Sequence, residues 1–294
     1  MADLVDCFGL TDRGRVRRSN EDHFLIADLD KAMRVVQTSL AADDRARLSG
    51  THHGKMLLVA DGMGGRRGGE IASGVAVETV ARYALHTMPW FFQLQDGREA
   101  DLEHELKAAL EDCERSVDTA ARATDHPGMG TTVTMAYLLW PRLYVVHAGD
   151  SRCYLARGGR LHQITRDHTV AQQMVDRGII TPEQADGSRW SHALFNCVGG
   201  GVSVVRPEVY KANLQAGDSV LLCSDGLSKY VPEGEIAGIL EREASVEGVA
   251  RRLIDAANAA GGSDNITVVV ARLGRDATSS AATPADGTAF LPAG

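Results

Sequence analysis

Four short apolar segments of this chain each adjoin an aspartate, and this pattern limits the possible folds more than any other feature of the sequence. The segments span residues 57–60, 144–149, 220–224 and 266–270, and the adjoining aspartates are Asp61, Asp150, Asp225 and Asp264. Apolar runs of this length, rich in Val, Leu and Ile, are typical of strands buried on both faces. The sequence therefore predicts several central strands, each with a carboxylate at one end.

The placement of these carboxylates favours a site for hard divalent cations, because Mg²⁺ and Mn²⁺ prefer oxygen ligands. In Asp61-Gly62, the glycine lets the backbone approach a ligand, so its carbonyl oxygen can join the Asp61 carboxylate. A tight turn would explain one Asp-Gly pair by itself, but the pair recurs at Asp225-Gly226. With Asp264 as a third carboxylate, we expect two bound cations that lower the pKa of a shared water.

An arginine-rich segment suggests a phosphorylated substrate. Four arginines lie among residues 13–18 and form a local cationic spot in a chain whose formal net charge is −8. Guanidinium groups bind phosphate through two parallel hydrogen bonds, although a solvated surface turn is the simpler explanation for any single arginine here. Asp22 follows shortly after this segment, where it can orient a metal-bound water.

Composition argues against several functional classes. The 294 residues, 44% hydrophobic and 24% charged, suffice for one large domain with a substantial core. The acidic net charge argues against a nucleic-acid binder, since such proteins normally present a basic face. We find no signal peptide and no run of the roughly 18 apolar residues that a membrane helix needs. The five scattered cysteines favour reduced thiols, so we expect a cytoplasmic protein that contacts neither membrane nor nucleic acid.

Hydrophobic periodicity predicts an α+β fold. The predicted helices cover residues 70–88, 99–124, 168–177, 233–243 and 245–260, with a further helix start at 181–183. The predicted strands cover residues 4–11, 22–28, 131–140, 142–157, 202–211, 218–224 and 266–273. Because strands and helices do not alternate regularly, we expect an antiparallel β-sandwich with helices on both outer faces. Residues 29–55 show little periodicity and are predicted to form a loop or insertion. We expect one domain over residues 1–274 and a flexible Ala-, Thr-, Ser- and Pro-containing tail over 275–294.

Six short motifs are spread over about residues 6–273. They are Arg17-Arg18-Ser19-Asn20-Glu21-Asp22, Val59-Ala60-Asp61-Gly62-Met63-Gly64-Gly65, Gly130-Thr131-Thr132, Ala148-Gly149-Asp150-Ser151-Arg152, Ser224-Asp225-Gly226-Leu227 and Ser263-Asp264-Asn265-Ile266-Thr267. In sequence and in order they resemble the motifs of bacterial metal-dependent serine/threonine phosphatases of type 2C. Each motif is short, but six in register form a highly specific signal. The resemblance implies a four-layer αββα sandwich with metals in a channel at one end.

The resemblance also implies a role for each candidate residue. In chain order, Arg17 binds the phosphate, Asp22 holds metal-bound water, Asp61 bridges both metals, Gly62 provides a carbonyl oxygen, Asp150 binds a weaker third metal, and Asp225 and Asp264 bind the second metal. Residues 166–195 resemble the variable flap beside the active site, which affects substrate choice.

The activity implied by the resemblance is hydrolysis of phosphoserine and phosphothreonine in proteins. A hydroxide bridging two Mn²⁺ or Mg²⁺ ions attacks phosphorus directly, without a phospho-enzyme. The expected partners are phosphorylated proteins, namely serine/threonine kinases and their substrates, whose signalling a monomeric bacterial enzyme would reverse. Many eukaryotic relatives have a histidine after Asp-Gly that is thought to act as general acid. Here this position is Met63, which cannot donate a proton, as in bacterial relatives.

Two alternatives compete with this interpretation. Cys7 and Arg13 have the spacing of a tyrosine-type phosphatase loop, but Asp12 would repel phosphate and only one glycine relaxes the segment. The other alternative is a non-catalytic protein that binds phosphoproteins without turnover; the full set of acidic residues argues against it. His52-His53 lacks a spaced third ligand, so we do not predict a transition-metal site there.

Overall fold

Two antiparallel sheets form the centre of the computed structural model, which describes residues 5–33, 48–64, 67–86, 99–185, 187–201 and 204–274. The strands are β1 (Val5–Asp12), β2 (Asp22–Met33), β3 (Leu48–Met63), β4 (Gly130–Thr131), β5 (Val133–Leu139), β6 (Arg142–Ala148), β7 (Arg152–Arg157), β8 (Arg160–Gln163), β9 (Val198–Gly199), β10 (Glu208–Asn213), β11 (Ser219–Cys223) and β12 (Ile266–Leu273). The helices are α1 (Gly68–His86), α2 (Glu99–Thr124), α3 (Val170–Asp176), α4 (Pro182–Ala185), α5 (Asp225–Ser228), α6 (Glu233–Arg242) and α7 (Val246–Ala259).

The first sheet has the strand order β1-β12-β11-β7-β8, and the second has the order β10-β6-β5-β3-β4-β9 with β2 also paired to β3. Every strand pair in both sheets is antiparallel. The predicted α+β class and the antiparallel sandwich are therefore confirmed.

Alternation along the central strands produces three apolar layers. In β3, Leu57 and Val59 join the cluster between the two sheets, whereas Leu58 and Ala60 face the helices. Successive side chains of a strand point to opposite faces, so a continuous apolar run must be covered on both. This explains the continuous apolar runs at residues 57–60, 220–223 and 268–271, and it accounts for the predicted four-layer arrangement.

Helices α1 and α2 cover the second sheet, and helices α6 and α7 cover the first. The bounds of α2 match the predicted 99–124, and Leu106, Leu110, Cys113 and Val117 are buried at helical spacing. Helix α7 begins after Ser245, whose side chain accepts a hydrogen bond from the Gly248 amide. The outer layers thus follow from local sequence signals.

Several predicted element boundaries were wrong. The loop predicted for 29–55 is instead largely strand at both ends, because β2 continues to Met33 and β3 begins at Leu48. The single strand predicted for 142–157 is two strands in different sheets, joined by a turn at 149–151 where Gly149 has a φ of 126°. A positive φ of this kind suits glycine and redirects the chain.

Other differences are smaller. The strand predicted for 202–211 begins only at Glu208, and the short elements β8, β9 and α5 were not predicted. Residues 34–47 and the predicted tail at 275–294 lie outside the described residues. The boundary between domain and tail therefore stays a prediction.

Candidate active site

Asp22 and Asp61 lie side by side at one end of the second sheet. They are directly paired residues of the antiparallel strands β2 and β3. Two threonines at the end of β4 and directly after it position Asp61: the Asp61 backbone amide donates to the Thr132 hydroxyl over 3.0 Å, and the Asp61 carbonyl accepts from the Thr131 hydroxyl over 2.9 Å. Gly62 follows, where an added Cβ would lie 2.1 Å from the Gly69 carbonyl oxygen. Only glycine therefore fits at position 62.

A buried serine joins Asp225 to this pair. Ser224 precedes helix α5, and its hydroxyl donates to Asp22 Oδ2 over 2.8 Å while accepting from the Thr267 amide over 2.9 Å. The hydroxyl therefore connects the end of β11 to the start of β2 and to β12. This places Asp225, the first residue of α5, beside Asp22 at the same end of the sandwich.

Asp150 reaches the cluster from the turn between β6 and β7. Its Oδ2 accepts a hydrogen bond from Lys229 Nζ over 2.9 Å, and the same ammonium donates to Asp225 Oδ2 over 2.7 Å. Lys229 Nζ also lies 3.0 Å from His192 Nδ1, in the segment 166–195 that carries α3 and α4. The Lys229 ammonium therefore lies between two of the predicted metal ligands, Asp150 and Asp225.

Asp264 and Arg17 form an ion pair beside this cluster of aspartates. Arg17 Nη2 donates to Asp264 Oδ2 over 2.7 Å, and the Arg17 side chain is 54% exposed. The following Asn265 holds the arginine-rich segment in place. Its side-chain Nδ2 donates to the backbone carbonyls of Arg13 and Ser19, and its Oδ1 accepts from the backbone amide of Glu21. All seven predicted site residues therefore lie on the strand ends and adjoining turns of one region.

Burial, together with repulsion from neighbouring carboxylates, raises the pKa of three aspartates of the site, Asp22, Asp61 and Asp150. Burial first, and then the charges of Asp22, Asp225, Asp150 and Asp264, raise the pKa of Asp61 well above its usual value. Burial also raises the pKa of Asp22, although hydrogen bonds from Thr267 and Ser224 oppose the shift. The pKa of Asp150 is raised for the same reasons, burial and then Asp225, against the favourable charge of Lys229. The cluster is short of positive charge.

This donor set fits two hard divalent cations. All the predicted ligands are carboxylate or carbonyl oxygens, and the buried Asp22 Oδ1 has no hydrogen-bond partner. Within the described ranges, no three acidic, histidine or cysteine side chains already close around one point. Two side-chain cations, Arg17 and Lys229, lie among the carboxylates instead. A weaker third ion between Asp150 and Asp225 does not fit these residues, because Lys229 Nζ already lies between the Oδ2 atoms of the two carboxylates.

The family model described as "Protein phosphatase 2C" matches residues 34–269, which is more than half of the chain. The chain belongs to the protein phosphatase 2C family. "Serine/threonine protein phosphatase PstP" of Mycobacterium tuberculosis is 37% identical over 266 residues, covering 89% of this chain and 43% of PstP. "Serine/threonine phosphatase stp" of Listeria welshimeri is 31% identical over 276 residues, covering 91% of this chain and 98% of the relative.

A solved structure of the 2C family shares the fold. The crystal structure of the catalytic domain of PstP in complex with two manganese ions aligns with a TM-score of 0.70 at 33% identity, covering 92% of this chain and 99% of that one. This chain spans less than half the length of full PstP. Among the described residues, none of the helices is long and apolar enough to cross a membrane.

The structure argues against the cysteine alternative for this member of the 2C family. Cys7 lies in the middle of strand β1, paired with Ala271, and not in a loop whose amides converge on an anion. Burial raises the pKa of the Cys7 thiol to about 11, so it is protonated at neutral pH. The other four cysteines are buried and free.

Sequence reasoning missed three residues that organise the site. Ser224 and Asn265 were part of recognised motifs but received no role; both are polar and buried, which the sequence alone does not reveal. Lys229 was not noticed, although its position four residues after Asp225 in a short helix is a signal for an ion pair.

Proposed function

We propose that this chain hydrolyses phosphoserine and phosphothreonine in proteins, using two Mn²⁺ or Mg²⁺ ions at the carboxylate end of the sandwich. The observation that carries the proposal is the meeting of Asp22, Asp61, Asp150 and Asp225 from separate strand ends in one network of contacts. The two manganese ions of the PstP catalytic domain support the metal requirement.

The ligands we assign are those that the resemblance implies. Asp61 would bridge both ions, with the Gly62 carbonyl as an added ligand, and Asp225 and Asp264 would hold the second ion. Lys229 uses only Oδ2 of Asp225, so Oδ1 of that carboxylate is available to an ion. Backbone atoms of Gly69 and Glu21 lie so close to Gly62 that no other residue fits at this position.

Arg17 would bind the phosphoryl group. It makes one hydrogen bond to Asp264, through Nη2. A guanidinium group has five donors in a planar fork, so most of them remain for a phosphate. The exposure of the side chain supports access by a protein substrate.

When bound, the two ions would lower the pKa of a water and withdraw charge from the phosphoryl oxygens. The chain's own residues would orient this water and the substrate: Asp22, which accepts a hydrogen bond from the Ser224 hydroxyl, would hold the water, and Arg17 would bind the phosphate. We propose direct hydrolysis without a phospho-enzyme, because the protonated, buried thiols are poor nucleophiles. Met63 carries no proton to donate, so the leaving oxygen takes its proton from water.

We further propose that the enzyme acts as a monomer in the bacterial cytoplasm. Its substrates would be phosphorylated proteins, including serine/threonine kinases and their targets, so that it reverses kinase signalling. The bacterial origin of the matched relatives supports this setting.

The deciding experiment is hydrolysis of a phosphothreonine peptide by the purified chain with Mn²⁺, with EDTA, and with the variant Asp225→Ala. The matched control is Asp255→Ala, which removes an exposed aspartate from α7. We expect Mn²⁺-dependent turnover that EDTA and Asp225→Ala abolish and that Asp255→Ala leaves unchanged.

Two outcomes would contradict the proposal. Phosphopeptide binding without turnover would favour the non-catalytic alternative. Loss of turnover in Cys7→Ser, with turnover retained in EDTA, would revive a cysteine mechanism and exclude the metal-dependent one.

A further inference from the structure

We propose that Lys229 is a built-in cation that replaces the weaker third divalent ion, so that this chain binds two such ions and not three. The inference rests on the proposed function for the two principal ions. It differs from the resemblance, which places a metal on Asp150. In this chain an ammonium group already joins Asp150 to Asp225.

The contacts of the ammonium are saturated. Lys229 Nζ donates to Asp150 Oδ2 over 2.9 Å and to Asp225 Oδ2 over 2.7 Å, and it lies 3.0 Å from His192 Nδ1. An ammonium has three N–H donors and no acceptor, so these three partners use all of them. His192 Nδ1 is then the acceptor of the third N–H.

The position is enclosed. The Lys229 side chain is 18% exposed, and the side chains of Asp150 and Asp225 are 7% and 12% exposed. Helical spacing brings Lys229 back over Asp225, four residues earlier, and its backbone amide donates to the Asp225 carbonyl over 3.0 Å. The lysine is therefore held in place by its own helix as well as by the carboxylates.

A divalent ion and this ammonium cannot share the space between the two carboxylates. Mg²⁺ binds oxygen at about 2.1 Å with near-octahedral geometry, and the ammonium nitrogen occupies the point where such bonds would converge. An ion would have to displace the lysine from two charged partners, and the displaced ammonium would repel it from nearby. The tethered cation also needs no free metal in solution.

The same ammonium connects the carboxylates to the flap-like segment 166–195. His192 belongs to this segment, and its Nδ1 lies 3.0 Å from Lys229 Nζ and 4.0 Å from Asp225 Oδ2. In this chain, Lys229 therefore adds one contact between this segment and the carboxylates, beside backbone contacts such as that of the His168 amide with the Gly149 carbonyl. The occupancy of this position is constant as metal concentration changes.

The test titrates Mn²⁺ into the full chain after a chelator has removed any bound metal. The electron paramagnetic resonance signal measures the free aqueous ion, and the bound ion is the difference from the amount added. We expect two ions per native chain, three in Lys229→Met, and two in the double variant Lys229→Met with Asp150→Asn. Lys229→Arg keeps the charge and should bind two. The matched control is Lys55→Met, which removes a similarly buried lysine from an ion pair with Asp28, and should also bind two.

A second readout needs no variant. In crystals of the native chain soaked in Mn²⁺, anomalous scattering should show two peaks and Lys229 Nζ between Asp150 and Asp225. A third peak between these carboxylates would overturn the inference. So would a count of two for folded Lys229→Met, because the lysine would then not be what excludes an ion. No Mn²⁺ on the native chain would instead overturn the proposed function together with this inference.

Discussion

Replacing Ser224 with alanine should cost a large part of the stability of this protein, because one hydroxyl serves two buried partners. Ser224 Oγ accepts from the Thr267 amide at 2.9 Å and donates to Asp22 Oδ2 at 2.8 Å, and both Ser224 and Thr267 are fully buried. Leaving a buried amide unsatisfied costs about 1–3 kcal/mol, and losing a hydrogen bond to a charged group costs about 1.5–3 kcal/mol. Because Asp22 can relieve part of its loss by taking up a proton, we expect a net cost of about 3 kcal/mol.

The assay is equilibrium urea unfolding at pH 8 in EDTA, followed by circular dichroism, so that metal binding does not add to the stability of the native state. The matched control is Ser228→Ala in the same short helix, since the buried Ser228 hydroxyl has no hydrogen-bond partner. We expect Ser228→Ala to change the free energy of unfolding by less than about 0.5 kcal/mol or to raise it slightly. If the two variants lie within about 1 kcal/mol of each other, the reasoning from the Ser224 hydrogen bonds is refuted.

Three further predictions concern residues away from the proposed metal ligands. Asp218→Ala should lower the free energy of unfolding by about 3 kcal/mol in urea titrations without changing turnover per folded molecule, because it removes both hydrogen bonds from Arg157 to a buried carboxylate. Asp28→Ala, in a pair whose carboxylate is 57% exposed, should cost about 0–1 kcal/mol, and equal costs would contradict this. Gly149→Ala should lower the free energy of unfolding, measured in thermal melts, by about 3 kcal/mol or more, because φ is +126° and the new Cβ would lie 2.5 Å from the Thr132 side chain. Gly158→Ala, at φ +56° in open space, should lower it by only about 1–2 kcal/mol in the same assay. Burial and the neighbouring His168 lower the pKa of His147 to about 3. As the pH falls, the unfolded chain therefore takes up a proton on this imidazole before the folded chain does. The stabilisation from the neutral imidazole is complete above about pH 6.5, and it falls by up to about 1.4 kcal/mol per pH unit as the pH drops towards 3. The difference in urea stability between native protein and His147→Gln should therefore shrink from pH 7.5 to pH 5, and a constant difference would contradict the burial of a neutral imidazole.

Much of the fold could be predicted because its signals are local. The bounds of α2 matched because apolar residues recur at helical spacing from Leu102 to Ala120. The central strands matched because apolar runs covered on both faces leave little ambiguity. Prediction failed where the pattern was weak: β2 and β3 carry polar residues such as Asp30 and His53 where they extend beyond their apolar runs, and this extension depends on pairing between the strands.

The candidate site was predicted in part for the same reason. Aspartates beside Gly62 and Gly226 stand out because strand, carboxylate and glycine occur in immediate succession. The contacts of Ser224 with Asp22 and of Asn265 with the arginine-rich segment join residues about 200 or more positions apart, and no local pattern encodes them.

By itself, the sequence determined which residue types stand at the ends of the strands, and hence that hard oxygen donors gather around a cationic segment. Only the tertiary structure decided which donors contact which cations. Arg17 pairs with Asp264, and Lys229 joins Asp150 to Asp225, because two sheets and a short helix converge at one end of the sandwich. Periodicity along the chain reports which side of an element is buried. The distance between two charges in separate elements depends on how those elements pack.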